Sequence, residues 1–161
     1  MRNAFRIKDI RVWTVSKKSK GGDYFNQGNE EHWLVDSLIS NPMSAYSPYN
    51  AKRSSWGIDV LGSIVLELET EDRTIGVATG TGGVPAAWLI ANHFCRFLVG
   101  QDSRNVNLIW DQMYRASMPY GRRGIALMAI STVDLALWDL LGKIRNEPVY
   151  NPVSYTHLRA H

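Results

Sequence analysis

Two carboxylates, Asp134 and Asp139, stand five residues apart in the run Ser131-Thr-Val-Asp-Leu-Ala-Leu-Trp-Asp-Leu-Leu-Gly-Lys143. Paired carboxylates can divide general acid and base work, but only where they converge. A helix of 3.6 residues per turn puts positions five apart on different faces, so local capping or packing bonds are expected of them instead. Glu30-Glu31-His32 brings together metal-ligating types, yet three consecutive side chains seldom converge on one ion, and a helix start is the simpler role. His93, beside Phe94, reads as a partly buried structural histidine. Cys95, within Phe94-Cys-Arg-Phe97, reads as a small buried apolar residue rather than a nucleophile. A single cysteine allows no internal disulfide and fits a reducing, cytoplasmic compartment.

Gly80-Thr81-Gly82-Gly83 precedes a helical pattern, where a phosphate could be cradled. It lacks both the Walker Lys-Ser/Thr and the G-x-G-x-x-G spacing, which favours a plain strand-to-helix turn. There is no nucleophile-elbow motif to anchor a Ser-His-Asp triad. Arg53 ends an irregular stretch just before Trp56-Gly57. Its guanidinium could hold a carboxylate bidentately; a solvated surface arginine is the alternative that spacing leaves open. No complete catalytic constellation can be assembled from these residues.

The elements that would position them run in a definite order. Residues 5–15 carry an imperfect strand alternation through Ile7, Ile10, Val12 and Trp13. A polar segment over 16–31, a short apolar element over 32–39, a break at Asn41-Pro42 and a second irregular loop to about Ser55 follow. Long loops in a short chain point to function. Residues 57–69 alternate, with Ile64, Leu66 and Leu68 on one face, and a turn over 70–73 leads into a strand over 74–79. Pro85 suits the first turn of a helix over 86–98, ended by Gly100. Helices are expected over 105–117 and from about Ile125. Strands first and helices afterwards argue for α+β with an antiparallel sheet.

The last helix is apolar nearly all round. Val133, Leu137, Leu140, Leu141 and Ile144 form one face, and Leu135, Ala136 and Trp138 widen it, so it is expected to be covered on several sides, as at a junction between two bodies. No run of 18 consecutive apolar residues and no secretory h-region is present. With 18 basic against 15 acidic residues, the net charge of +3 gives no nucleic-acid footprint. Lys17-Lys18-Ser19-Lys20, running into Gly21-Gly22, reads as a solvated loop.

The closing helix, with Glu147-Pro-Val-Tyr150, resembles the enolase superfamily where an N-terminal capping domain passes into a (β/α)8 barrel. Gly21-Gly-Asp-Tyr24, Gln27-Gly28, His32-Trp33, Asn41-Pro-Met-Ser44, Trp56-Gly-Ile-Asp-Val-Leu-Gly62 and Trp110-Asp-Gln-Met113 narrow the resemblance. Over residues 5–150 the chain is most similar to sugar-acid dehydratases of the mandelate-racemase type, in particular those acting on L-rhamnonate. The resemblance implies a capping domain over 1–124, a helix over 125–150 leading into a barrel that is missing here, and a foreign tail over 151–161.

It also implies a chemistry. Mg²⁺ on three barrel carboxylates binds the substrate carboxylate and stabilises an enediolate, a barrel histidine removes the α-proton, and loss of the 3-hydroxyl gives a 2-keto-3-deoxy acid. Loops over 17–31 and 42–55 would close the barrel mouth and choose the substrate. Arg53 stands at the family's substrate-binding arginine. Phe25 stands where the rhamnonate enzymes place a substrate-contacting histidine, so a related acid such as L-lyxonate competes as substrate. With the metal ligands and the base in the barrel, this stretch alone is expected to be inactive. The implied partners are a small sugar acid and, for the whole enzyme, further copies of itself; neither nucleic acid nor membrane is expected. The alternative is a non-catalytic α+β binding module.

Overall fold

The computed structural model describes residues 4–15, 45–47 and 61–150. Strands β1 (Ile7–Val15), β2 (Ser63–Thr70) and β3 (Ile75–Thr81) form an antiparallel meander in the order β1-β2-β3. Alternation decides the faces: Ile64, Leu66, Leu68 and Thr70 are fully buried, while Val65, Glu67 and Glu69 point to the other side. On that outer face Arg11 meets Glu69 at 2.7 Å, Asp9 at 2.8 Å and Glu67 at 3.1 Å. These three contacts hold the guanidinium protonated more firmly than usual.

The β2–β3 turn closes on Asp72, which accepts the Thr70 hydroxyl and, at 3.1 Å, the Thr74 backbone N–H. These hydrogen bonds, the Thr70 one foremost, lower the Asp72 carboxyl below its ordinary range. β2 begins at Ser63, later than the alternation predicts, after Gly62 at φ +80°. β3 runs on through Thr81, so Gly80 belongs to the strand rather than to the glycine connection.

Among the described residues, three helices and a 3-10 turn cover the inner face: α1 (Gly83–Asn92), the turn Phe94–Phe97, α2 (Val106–Ser117) and α3 (Ile125–Arg145). The helix expected over 86–98 is divided. Asn92 Nδ2 donates back to the Trp88 carbonyl at 3.0 Å, and the chain tightens so that Phe94 and Leu98 both enter the core. Gly100, at φ +79°, then turns the backbone onto β1, where its N–H reaches the Ile7 carbonyl at 2.8 Å and the Ile7 N–H reaches the Gln101 carbonyl at 2.9 Å. A straight helix would carry residues 98–101 away from those partners.

α3 is the centre of the second layer. Ile130, Val133, Ala136, Leu137 and Leu140 are fully buried against the sheet and α1. Each large aliphatic side chain so buried stabilises by about 1.5–3 kcal/mol. By length and a mean hydropathy of 1.6, α3 could cross a bilayer, although no unbroken run of 18 apolar residues exists. Here it is a core helix that carries Asp134 and Asp139. Leu135, on its far side, is 56% exposed and Trp138 is half-buried, so the cover expected on several sides is incomplete within the described residues. The helix ends at Asn146 in the left-handed region, with the Glu147 N–H on the Gly142 carbonyl at 2.9 Å.

Candidate functional site

Val15 pairs with Ser63, and Ser63 with Thr81, so the last residue of β1, the first of β2 and the last of β3 line up at one end of the sheet. Apart from residues 45–47, the described chain stops at Val15 and resumes at Leu61 beside it; a Cβ on Gly62 would stand 3.1 Å from the Val15 carbonyl oxygen. The two long loops expected to carry function therefore belong to segments anchored at this end.

Glycines make the anchor. A Cβ on Gly80 would lie within 1.9 Å of Thr132 Oγ1, and one on Gly82 within 2.7 Å of Ala86. A Cβ on Gly83 would fall 1.4 Å from the Leu61 carbonyl oxygen. The backbone of 61–62 thus occupies the space above the turn, and no phosphate could enter. Gly80 to Gly83 is a close-packing device, as the missing motif spacing predicts, and Gly82, at φ +102°, is the residue before α1.

α3 runs antiparallel to β3, because Gly76 faces Ala136 and Leu140, Gly80 faces Thr132, and Gly82 faces Met128. The N-terminal end of α3 is therefore carried to the same end of the sheet, where α1 also begins. Neither helix has an acidic residue in its first turn or a side-chain cap. Their unpaired N–H groups leave partial positive charge there. Arg122 and Arg123, both exposed, lie immediately before α3. Two clefts adjoin at this corner. One, of about 530 Å³, is lined by Tyr114, Gly121, Arg122 and Arg123. The other, of about 500 Å³, shares Gly121 and Arg123 and adds an apolar wall that includes Trp88, Leu89 and Ile125.

His93 lies on the α1 side of this corner. Its Nδ1 is 2.6 Å from the Tyr120 hydroxyl, and its ring packs against Phe94, Phe97 and Tyr120. Burial, with a smaller contribution from Arg96, lowers its pKa below the ordinary 6.5, and burial raises that of Tyr120 above 10. The structural role expected of His93 agrees with this packing. Cys95 is only partly buried.

Asp134 and Asp139 do not converge. Asp139 Oδ2 accepts the Val77 backbone N–H at 2.8 Å and Lys143 Nζ at 2.6 Å. Asp134 is half-buried; burial raises its carboxyl above the usual range, and a hydrogen bond with the Trp138 side chain partly offsets this.

Arg53, Phe25, Glu30-Glu31-His32 and Lys17-Lys18-Ser19-Lys20 lie outside the described residues, as does 151–161. Among the described residues, no three His, Cys, Asp or Glu side chains come together, so none offers a divalent metal a ligand set. Between the helices expected over 105–117 and from about Ile125 the sequence pattern marks no functional residue, and Arg122 and Arg123 were missed. The signal available was two adjacent arginines directly before a helix start.

Residues 35–152 match the family described as mandelate racemase / muconate lactonizing enzyme, N-terminal domain. The chain is 48% identical over 145 residues to an L-rhamnonate dehydratase of Saccharopolyspora erythraea, covering 90% of this chain and 36% of that protein. A crystal structure of rhamnonate dehydratase from Gibberella zeae complexed with Mg superposes with a TM-score of 0.78 at 54% identity, over 95% of this chain and 37% of that one. The 3,6-anhydro-D-galactonate cycloisomerase of Zobellia galactanivorans shares the fold at a TM-score of 0.62 and 26% identity, over 92% of this chain and 31% of its own. The chain thus spans about a third of the length of these relatives.

Proposed function

The chain belongs to the mandelate racemase / muconate lactonizing enzyme family through this N-terminal domain, and from that premise we propose that it serves as the capping domain of a Mg²⁺-dependent sugar-acid dehydratase, a hydro-lyase of the type that converts L-rhamnonate to 2-keto-3-deoxy-L-rhamnonate. The observation that carries this is identity near one half over nine-tenths of the chain to an L-rhamnonate dehydratase. Fold alone would not carry it, since a cycloisomerase shares the fold.

In this reading the glycine-packed strand ends hold the two loops at one mouth. A rigid anchor limits how far a loop's binding residues can wander, which favours a precise pose. Arg53 would pair with the substrate carboxylate by two parallel N–H···O bonds. Mg²⁺, when bound, would supply Lewis-acid stabilisation of developing negative charge; no described residue would ligate it. We assign its ligands and the base to residues beyond this chain, so the 161 residues alone are expected to be inactive in the cytoplasm where the enzyme would work, as a homo-oligomer. Residues 125–150 would lead into the barrel and 151–161 would be foreign, which sequencing of the gene across codon 151 checks.

A second reading rests on Phe25. An aryl ring cannot donate a hydrogen bond to a sugar hydroxyl, which favours a related acid such as L-lyxonate. The full-length enzyme, assayed with Mg²⁺ for 2-keto acid formation from a panel including both acids, decides between them. Turnover of neither acid, nor of any other sugar acid, would leave a non-catalytic binding module.

A further inference from the structure

We infer that Arg122 and Arg123 form a capture site for a small carboxylate at the loop-bearing end of the domain, drawing the anionic substrate to the mouth before it reaches the reacting centre. The inference rests on the proposed sugar-acid reading for the name of its ligand, though not for its geometry.

Charge is distributed unevenly along the sheet. At the hairpin end Asp9, Glu67, Glu69, Glu71 and Asp72 are interspersed with Arg6, Lys8, Arg11, Arg73 and Lys143, and Arg11 is bound among three of the carboxylates. The described residues of the opposite end differ. Residues 12–15, 61–65, 79–88 and 118–131 contain no aspartate or glutamate, and their only charged side chains are Arg122 and Arg123. Neither arginine makes an ion pair among the described residues, whereas Arg11, Arg104 and Arg115 all do. Among the described residues their charge is therefore not cancelled locally. The N-terminal ends of α1 and α3 point their positive dipole ends the same way, without an acidic residue to offset them.

Shape agrees with charge. The two clefts share Arg123 and Gly121, so a cationic half adjoins an apolar half bearing Trp88, which is 60% exposed. Each is of the size usual for small-ligand sites. A carboxylate with a short carbon chain could place its charge on the arginines and its C–H surface against the indole. Exposed guanidinium groups bind such an ion weakly and exchange it fast, which suits capture. Clefts lined by one sign of charge raise on-rates by about tenfold or more at low salt, and the gain falls steeply with ionic strength.

The test uses L-rhamnonate and its uncharged lactone as probes of the 161-residue chain, read by amide NMR shifts at residues 121–124. The acid should titrate these amides and the lactone should not. R122Q/R123Q should abolish the titration and R122K/R123K should retain it, both with unchanged shift dispersion, since the two side chains are exposed. Failure of the acid to move these amides, or equal titration in R122Q/R123Q, overturns the inference. In the full-length enzyme, R122Q/R123Q should lower kcat/KM about three- to tenfold at low salt, flatten its salt dependence and leave kcat unchanged; an unchanged salt slope overturns it too. If the full-length enzyme turns over no sugar acid while the chain still binds the anion through these arginines, the dehydratase reading fails and the capture site stands.

Discussion

Asp139 on α3 accepts the backbone N–H of Val77 on β3 at 2.8 Å, and Lys143, one turn further along the helix, donates to the Ile75 carbonyl at 2.7 Å. Among the described residues β3 is an edge strand. The two helix side chains, themselves paired at 2.6 Å, satisfy the donor and acceptor that a fourth strand would otherwise engage. Removing them should expose the edge. D139A is expected to cost about 1–2 kcal/mol in denaturant unfolding and to speed hydrogen exchange at the Val77 amide more than at Leu66 in the central strand. Equal exchange at both amides would mean that the carboxylate does not protect the edge.

Close approach of α3 to β3 depends on a missing methyl group. A Cβ on Gly76 would lie 2.4 Å from the Ala136 carbonyl oxygen and 2.5 Å from Leu140 Cγ. G76A should therefore force the helix off the strand and destabilise by about 1–3 kcal/mol. G121A, whose added carbon would meet nothing closer than the Arg123 carbonyl oxygen at 3.7 Å, should change stability by less than about 0.5 kcal/mol. Thermal melts of the two variants give the comparison.

His93 gives the fold a pH dependence with a definite sign. Its pKa is depressed in the folded state, chiefly by burial, so between that value and the ordinary 6.5 the unfolded chain binds more protons than the native one. Stability from this group is present above pH 6.5 and is lost as pH falls through the folded pKa. H93Q should remove that component, so that the wild type loses more stability than the variant between pH 7 and pH 5. Parallel stability curves over this range would rule the histidine out as their cause.

Two variants of the full-length enzyme test the proposed site. On the proposed role of Arg53, R53A would remove a charge-assisted bidentate pair and should lower kcat/KM on the preferred sugar acid by about ten- to a hundredfold. F25H should restore a hydrogen-bond donor and raise kcat/KM for L-rhamnonate relative to L-lyxonate. No change in that ratio would detach Phe25 from substrate choice.

Much of the fold was legible because its signals are local. The alternation of Ile64, Leu66 and Leu68 marks a half-buried strand, and Pro85 sits at the third residue of α1. The helix expected over 105–117 begins one residue later and has its buried face at Val106, Ile109 and Met113. The break at His93 was not legible, because it arises from the bonds that Gly100 and Gln101 make to Ile7, some 90 positions away in sequence. Phe25 came from family resemblance alone, whereas Arg53 was marked by its place at the end of an irregular stretch and given its substrate role by the resemblance; both lie outside the described residues.

The sequence by itself determined the class, α+β with strands before helices, and the polarity of each element's faces, because period-2 and period-3.6 patterns are written in neighbouring residues. Tertiary structure alone decided which ends meet. The packing of Gly76, Gly80 and Gly82 against α3 sets that helix antiparallel to β3, and this carries Arg122 and Arg123 to the end of the sheet where Val15, Ser63 and Thr81 align. No local pattern encodes that meeting, since it depends on how closely two distant backbones can approach.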